Sequence, residues 1–434
     1  MLDTLISILK ESGLYAWELS CEQTEGWEFY FIRHDLDQNR AKTVRHIRLK
    51  VYALIEDGAF LGSASAELPP TATAAEARRL VEDLAYRATL VKNKPYTLGE
   101  PLPEHSAPRA QVTVDVPAIA QGFLETMQQL PETATEDINS YEIFVSARTR
   151  RLITSTGIDV TETYPDSMIE VVVNARSEGH EIELYRNYKS GSCDAEGLKK
   201  DLSRTMRYGK DRLLAKPTPV LGTADVLFTT SDAVSIYEYF ADRLNAQMVY
   251  RKMSDWELGA PISQDIRGDR LTLCALQSLP NSSQNRAFDA EGAPIRDTVL
   301  LQESVPVRYL GDRMFSSYLG LEGSFIPGNI AVTGGSRSEE ELRKGPYLEV
   351  VEFSDFQVDA MTGDIFGEIR LAYWHDGENV TPVSGGSLSG SMLDFVKEMY
   401  LSRESVQYNN FSIPALTLLK NVTVTGIGEE SKSE

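Results

Sequence analysis

The chain has 434 residues, 42% hydrophobic and 25% charged, which is the composition of a globular protein with room for two or three cored domains. Its 64 Asp and Glu against 43 Lys and Arg give a formal net charge of −21. Such a surface repels phosphate backbones and excludes general nucleic-acid binding.

The N-terminal residues 2–13 read as an amphipathic helix, because Leu5, Ile6, Ile8 and Leu9 recur at helical spacing and Gly13 is a stop. Strands are expected at 15–22, 27–33 and 43–54. A hairpin at Glu56-Asp57-Gly58 leads into another strand ending near Ala66. A helix over 73–91 carries a capping box, Thr73 with Glu76. The same plan then recurs. A helix is expected over 117–130, strands at 141–147, 151–157, 168–175 and 180–188, a hairpin at Glu178-Gly179 and a helix over 194–214. Each copy ends in Lys-Pro, at Lys94-Pro95 and Lys216-Pro217. The repetition points to a duplicated α+β unit, helix–antiparallel sheet–helix, joined by a Pro-rich linker at 101–109.

Beyond residue 220 the pattern changes to short strands separated by Gly, Pro, Asn and Asp turns. They fall at 226–228, 271–277, 297–303, 329–333, 347–353, 366–375, 379–383 and 415–425. Helices interrupt at 231–247, 338–344 and 391–402. The fold class is therefore α+β, with units at 1–110 and 111–218, a β-rich C-terminal domain at 219–428 and a disordered tail at 429–434. No apolar run approaches the roughly 18–20 residues of a membrane span. The N-terminus lacks the basic start of a signal peptide, and the chain reads as cytoplasmic.

Few residues offer chemistry. Cys21, Cys193 and Cys274 lie far apart and form neither a metal spacing nor a disulfide framework. They read as buried free thiols. No histidine lies between His180 and His375. His375-Asp376-Gly377 reads as a hairpin turn. Gly334-Gly335-Ser336 and Gly385-Gly386-Ser387 lack the lysine and spacing of a phosphate loop. In the 231–247 helix, Ile236, Phe240 and Leu244 recur every four residues beside Tyr237, the pattern of a packing face. Two carboxylates on it, Glu238 and Asp242, stand four apart and suit magnesium or calcium better than zinc. In Phe288-Asp-Ala-Glu-Gly-Ala-Pro, Gly292 and Pro294 make a turn. Asp289 and Glu291 either cap that turn through Asx-type hydrogen bonds or line a cleft.

That heptapeptide, the stretch 361–383, Val249-Tyr250-Arg251-Lys252 and the closing segment 412–426 together resemble the TldD/PmbA family, the so-called modulators of DNA gyrase. The resemblance is strongest over 226–303 and 358–426 and weaker over 1–217. Active TldD-type members bind zinc through a His-Glu-x-x-x-His helix and a C-terminal cysteine. Counted without gaps from Val226-Leu227-Phe228, those helix positions hold Glu238, Tyr239 and Arg243 here. A shift of one residue offers Tyr237, Glu238 and Asp242. No cysteine follows Cys274. The resemblance therefore implies no catalytic or metal-ligating residues and no cofactor in this chain, and places it with the PmbA (TldE) side. Its implied role is a non-catalytic partner subunit of a TldD-type zinc peptidase acting on peptides or unfolded proteins, with the β-rich domain forming the heterodimer interface. The alternative is a stand-alone homodimeric peptide- or ligand-binding protein without peptidase activity. Tyr250, Arg251, Asp289 and Glu291 are the residues expected to line a cleft.

Overall fold

A computed structural model describes residues 1–107 and 112–428. The 110/111 boundary, part of the 101–109 linker and the tail at 429–434 lie outside the described residues. The chain is 22% helical and 43% strand, an α+β fold with a β-rich C-terminal region.

The N-terminal region runs α1 (Leu2–Glu11), β1 (Ala16–Ile32), β2 (Asp35–Ile55), β3 (Phe60–Leu68), α2 (Ala74–Ala88), α3 (Val116–Gln128), β4 (Glu136–Thr154), β5 (Asp159–Ser177), β6 (His180–Ser190) and α4 (Ala195–Leu213). The two halves share one six-stranded sheet in the order β3-β2-β1-β4-β5-β6. The seam is β1 against β4, antiparallel from Glu18↔Thr154 to Ile32↔Ser140. One face of the sheet carries the helices. Trp17, Leu19, Leu49 and Val51 pack with Leu5, Leu9, Val81 and Leu84. Phe29, Phe31, Tyr141, Ile143 and Val171 pack with Phe123, Met127, Leu202 and Met206. The helix starts are those the sequence marks. Thr73 and Glu76 form a capping box, and Asp194 accepts from the Gly197 N–H.

The strands differ from the expected ones in length. The segments 15–22 and 27–33 are one strand, as are 141–147 and 151–157. Cross-strand charge pairs such as Arg148–Glu22 and Arg40–Glu28 sustain the ladder through polar stretches that read as loops.

The C-terminal domain holds a second six-stranded sheet and an eight-stranded one. Within the latter, Tyr347–Val358, Gly222–Phe228, Thr417–Thr425, Ser387–Ser391 and Asp364–His375 pair in sequence. Tyr347–Val358 then pairs back on Asp364–His375 and closes the ring. Val226, Phe228, Leu348, Ile369, Leu388 and Val424 fill its core. Two expectations are corrected here. The 231–247 helix breaks into α5 (Ala233–Arg243) and α6 (Ala246–Tyr250), because Asn245 is extended and its side chain caps the Gln247 N–H. The 391–402 helix is only Met392–Phe395, since Met399 and Leu401 alternate inward as a strand on Thr417–Thr425. Ser387–Ser391, where no element was expected, is a strand. At Gly390 any Cβ would sit 2.1 Å from the Phe395 ring. Among the described residues, no helix is long and apolar enough to cross a membrane.

Candidate functional site

Helix α5 turns Ile236, Tyr237 and Phe240 into the core. The Tyr237 hydroxyl hydrogen-bonds the Thr417 hydroxyl at 2.6 Å. The opposite face carries Glu238 and Asp242, one turn apart. They line a cleft of about 560 Å³ together with Tyr239, Phe356, Asp359, Asp364, Ile365 and Phe366. The sequence showed the α5 pair; it gave no sign that the Asp359–Asp364 turn, more than a hundred residues on, forms the facing wall. Desolvation by the cleft walls pushes both α5 carboxyls up, and the Asp242 charge adds to the effect at Glu238. The Asp359 carboxyl is held down instead by N–H donors from Thr362 and Met361.

Raised carboxyls make a pH prediction. A carboxyl whose folded pKa exceeds its unfolded value costs the fold when ionised, so the cost is full above the folded pKa and vanishes below about 4.3. Glu238→Gln or Asp242→Asn is expected to raise stability at pH 7 by less than about 1 kcal/mol, since both sites are exposed. The gain closes as the pH falls to 4, which denaturant titrations at the two pH values read directly.

Arg243 occupies the end of α5 and is only 4% exposed. Its guanidinium donates to the carbonyls of Met253 and Met361, both at 3.0 Å, and to the Asp255 carboxylate. The rings of Tyr239 and Trp256 flank it at 5.9 and 5.5 Å. It thereby ties α5 to the loop after α6 and to the turn at the cleft wall. These residues do not fit a zinc ion. An arginine has five donors and no acceptor, and is never deprotonated. Tyr239 is packed edge-on against Phe240 and Trp256. Among the described residues, no three His, Cys, Asp or Glu side chains gather as a metal-binding group.

The other named residues cluster elsewhere, around α7 (Arg313–Leu319). The Tyr250 ring meets Phe315 and Tyr318 at 5.6 and 5.0 Å, and the Arg251 guanidinium lies 5.2 Å from the Phe315 ring. Glu291 accepts from the Arg313 N–H at 2.7 Å, and Arg313 reaches on to Glu18 of β1 at 3.2 Å. The sequence reading missed α7, although Asp312 and Gly320 signal its ends. Asp312 caps Phe315, and Gly320 is left-handed at φ 68°. Asp289 is buried and spent on its turn. One carboxylate oxygen accepts from Glu291 and Ala293, the other from Ile326. His375 stacks on Tyr347, and burial holds its pKa down. The three cysteines are free thiols, each pushed up by burial.

These features define an α+β protein whose β-rich domain bears an acidic, aromatic-walled cleft beside a single helix. Residues 221–426 match the family described as PmbA/TldA metallopeptidase C-terminal domain, which places the chain's C-terminal domain in the TldD/PmbA family. A metalloprotease PmbA homolog of Haemophilus influenzae is 23% identical over 229 residues, which is 51% of this chain and 48% of that protein, so the match spans about half the relative's length. TldE from Thermococcus kodakarensis superposes with a TM-score of 0.76 at 14% identity, covering 98% of this chain and 100% of that one. A protein of Thermotoga maritima described as a modulator of a DNA gyrase gives 0.77 at 16% identity, covering 98% and 99%. A similarly described protein of Bacteroides thetaiotaomicron gives 0.77 at 15%, covering 98% of each chain.

Proposed function

We propose that this chain is the non-catalytic subunit of a TldD-type metallopeptidase and joins a catalytic chain that supplies the zinc and the hydrolysis of peptides. The observation that carries the reading is Arg243. A buried guanidinium, committed to two carbonyls and a carboxylate, stands where the family resemblance expects a histidine ligand. The similarity to TldE in fold supports the same side of the family.

The role so proposed is binding and assembly. The cleft beside α5 has acidic rims and aromatic walls, which suit the cationic and apolar side chains of an unfolded peptide. The test is co-expression with a TldD-type chain, co-purification, and peptide hydrolysis by each chain alone and by the pair. Hydrolysis is expected from the pair and not from this chain alone. A catalytic chain that ignores this one, neither binding it nor gaining activity, sinks the proposal.

A further inference from the structure

The segment between α2 and α3 joins the two halves of the N-terminal sheet, and over 94–106 it lies along the seam with the C-terminal domain and is fixed to both sides. The Lys94 carbonyl accepts from the Tyr318 hydroxyl of α7 at 2.5 Å. Tyr96 and Leu98 pack on Ala16, Tyr52 and Leu61 of the sheet. The Gly99 carbonyl accepts from the Thr156 hydroxyl between β4 and β5, and Glu104 pairs with Arg296 of the C-terminal domain. In the turn Pro103–Ser106, His105 uses both ring nitrogens. Nδ1 accepts from the Leu102 N–H at 2.7 Å, and Nε2 donates to the Gly292 carbonyl at 2.7 Å. The ring lies 4.8 Å from that of Phe288. Phe288 in turn packs on Leu152, Ile158 and Val160 of the N-terminal region, and Arg150 donates to its carbonyl at 2.7 Å. His105 therefore closes this strap over the turn through which the two domains touch.

The two bonds fix the protonation state of the ring. A backbone N–H only donates and a carbonyl only accepts, so Nδ1 holds a lone pair and Nε2 holds the proton. That is a neutral imidazole. An imidazolium has two N–H donors and no acceptor. It can keep the bond to Gly292, but its second N–H then points at the Leu102 N–H, donor against donor.

We propose that His105 is a proton-sensitive clasp. Acidification into the range where imidazoles ionise breaks its bond to Leu102, turns the ring off Phe288 and frees the strap over 99–106 from the 288–294 turn. The charged groups around the ring leave this response intact. Glu104 of the same turn attracts an imidazolium, but it is paired with Arg296. On the facing turn, Asp289 and Glu291 accept from backbone N–H groups. Beneath Phe288, Arg150 of β4 and Glu162 of β5 pair with each other at 3.4 Å. Burial pushes the Asp289 and Glu291 carboxyls up, which makes these two the rival source of an acid response in this turn. The other histidines, His34, His46, His180 and His375, stand on other elements. The clasp operates with or without a peptidase partner, and its test needs this chain alone.

The experiment is hydrogen–deuterium exchange of the purified full chain at about pH 7.5 and about pH 5.5, each rate divided by that of the unstructured peptide at the same pH. In the native chain, exchange within 99–106 and 287–294 is expected to rise about tenfold in the acid sample. His105→Gln offers an amide oxygen and an NH₂ group in place of the two ring nitrogens and does not titrate. It is expected to stay protected at both pH values. His105→Phe keeps a ring against Phe288 without either hydrogen bond, and is expected to exchange fast at both. Neither variant should respond to pH, and unchanged protection of the Gly222–Phe228 strand shows that each is folded. A native chain whose two segments exchange alike at both pH values overturns the proposal. So does a variant that keeps the native pH response, which would assign it to Asp289 or Glu291.

Discussion

Arg243→Ala is expected to lower folding stability by about 3 kcal/mol or more, read as a shift of the urea midpoint at unchanged slope. The guanidinium is nearly inaccessible and makes three hydrogen bonds to two segments, the loop after α6 and the Asp359–Asp364 turn. Truncation leaves the Met253 and Met361 carbonyls without that donor and opens a void between Tyr239 and Trp256. Hydrogen bonds from a charged donor contribute about 1.5–3 kcal/mol each, while the exposed Asp255 is rehydrated and contributes little to the loss. Arg243→Met separates the two parts, because it keeps the packing volume and removes every donor. Arg243→Lys restores one donor with a shorter reach and no fork. The expected order of damage is Ala, then Met, then Lys. If lysine is as good as arginine, charge alone matters and the bridging geometry described above is irrelevant. The cleft wall should respond as well. The Asp359–Asp364 turn is anchored through Met361, so faster amide exchange there is expected in Arg243→Met.

The sequence carried most of the fold because its signals were local. The capping box at Thr73–Glu76, turn glycines and strand alternation each act within a few residues, and the structure forms that box. What failed was non-local. The polar residues 23–26 and 35–42 read as loops, yet they are strand because Glu22 and Glu28 meet Arg148 and Arg40 across the ladder. Ser387–Ser391 has almost no strand propensity and is held by neighbours on both sides. The site divides the same way. Glu238 and Asp242 at i, i+4 are legible on one helix, whereas Asp359 and Asp364 join them only through the closed ring of strands. Spacing likewise shows that position 243 holds no histidine, but not that its arginine bridges two distant carbonyls. Of the four residues expected to line a cleft, Tyr250, Arg251 and Glu291 gather around α7, and Asp289 is committed to its own turn.

Asp289→Ala is expected to cost about 3–5 kcal/mol, comparable with removing a large core side chain. The carboxylate is 5% exposed and accepts three backbone N–H groups, from Glu291, Ala293 and Ile326. Alanine leaves those donors unpaired inside the protein, and a buried orphan donor costs about 1–3 kcal/mol. Asp289→Asn discriminates between charge and geometry. Its carbonyl oxygen can still serve Glu291 and Ala293, while its NH₂ group meets the Ile326 N–H, so a loss of about 1–2 kcal/mol is expected. The consequence extends beyond the turn. Phe288 is the residue that the turn presses onto Leu152, Ile158 and Val160, and Arg150 grips the carbonyls of both Phe288 and Asp289. Loosening the turn therefore loosens the contact between the N-terminal sheet and the C-terminal domain. Limited proteolysis of Asp289→Ala under native conditions should cut within 284–296 much faster than in the native chain. Unchanged protection of that segment, with stability near native, would mean that the turn is held by its packing alone and that the three hydrogen bonds are dispensable.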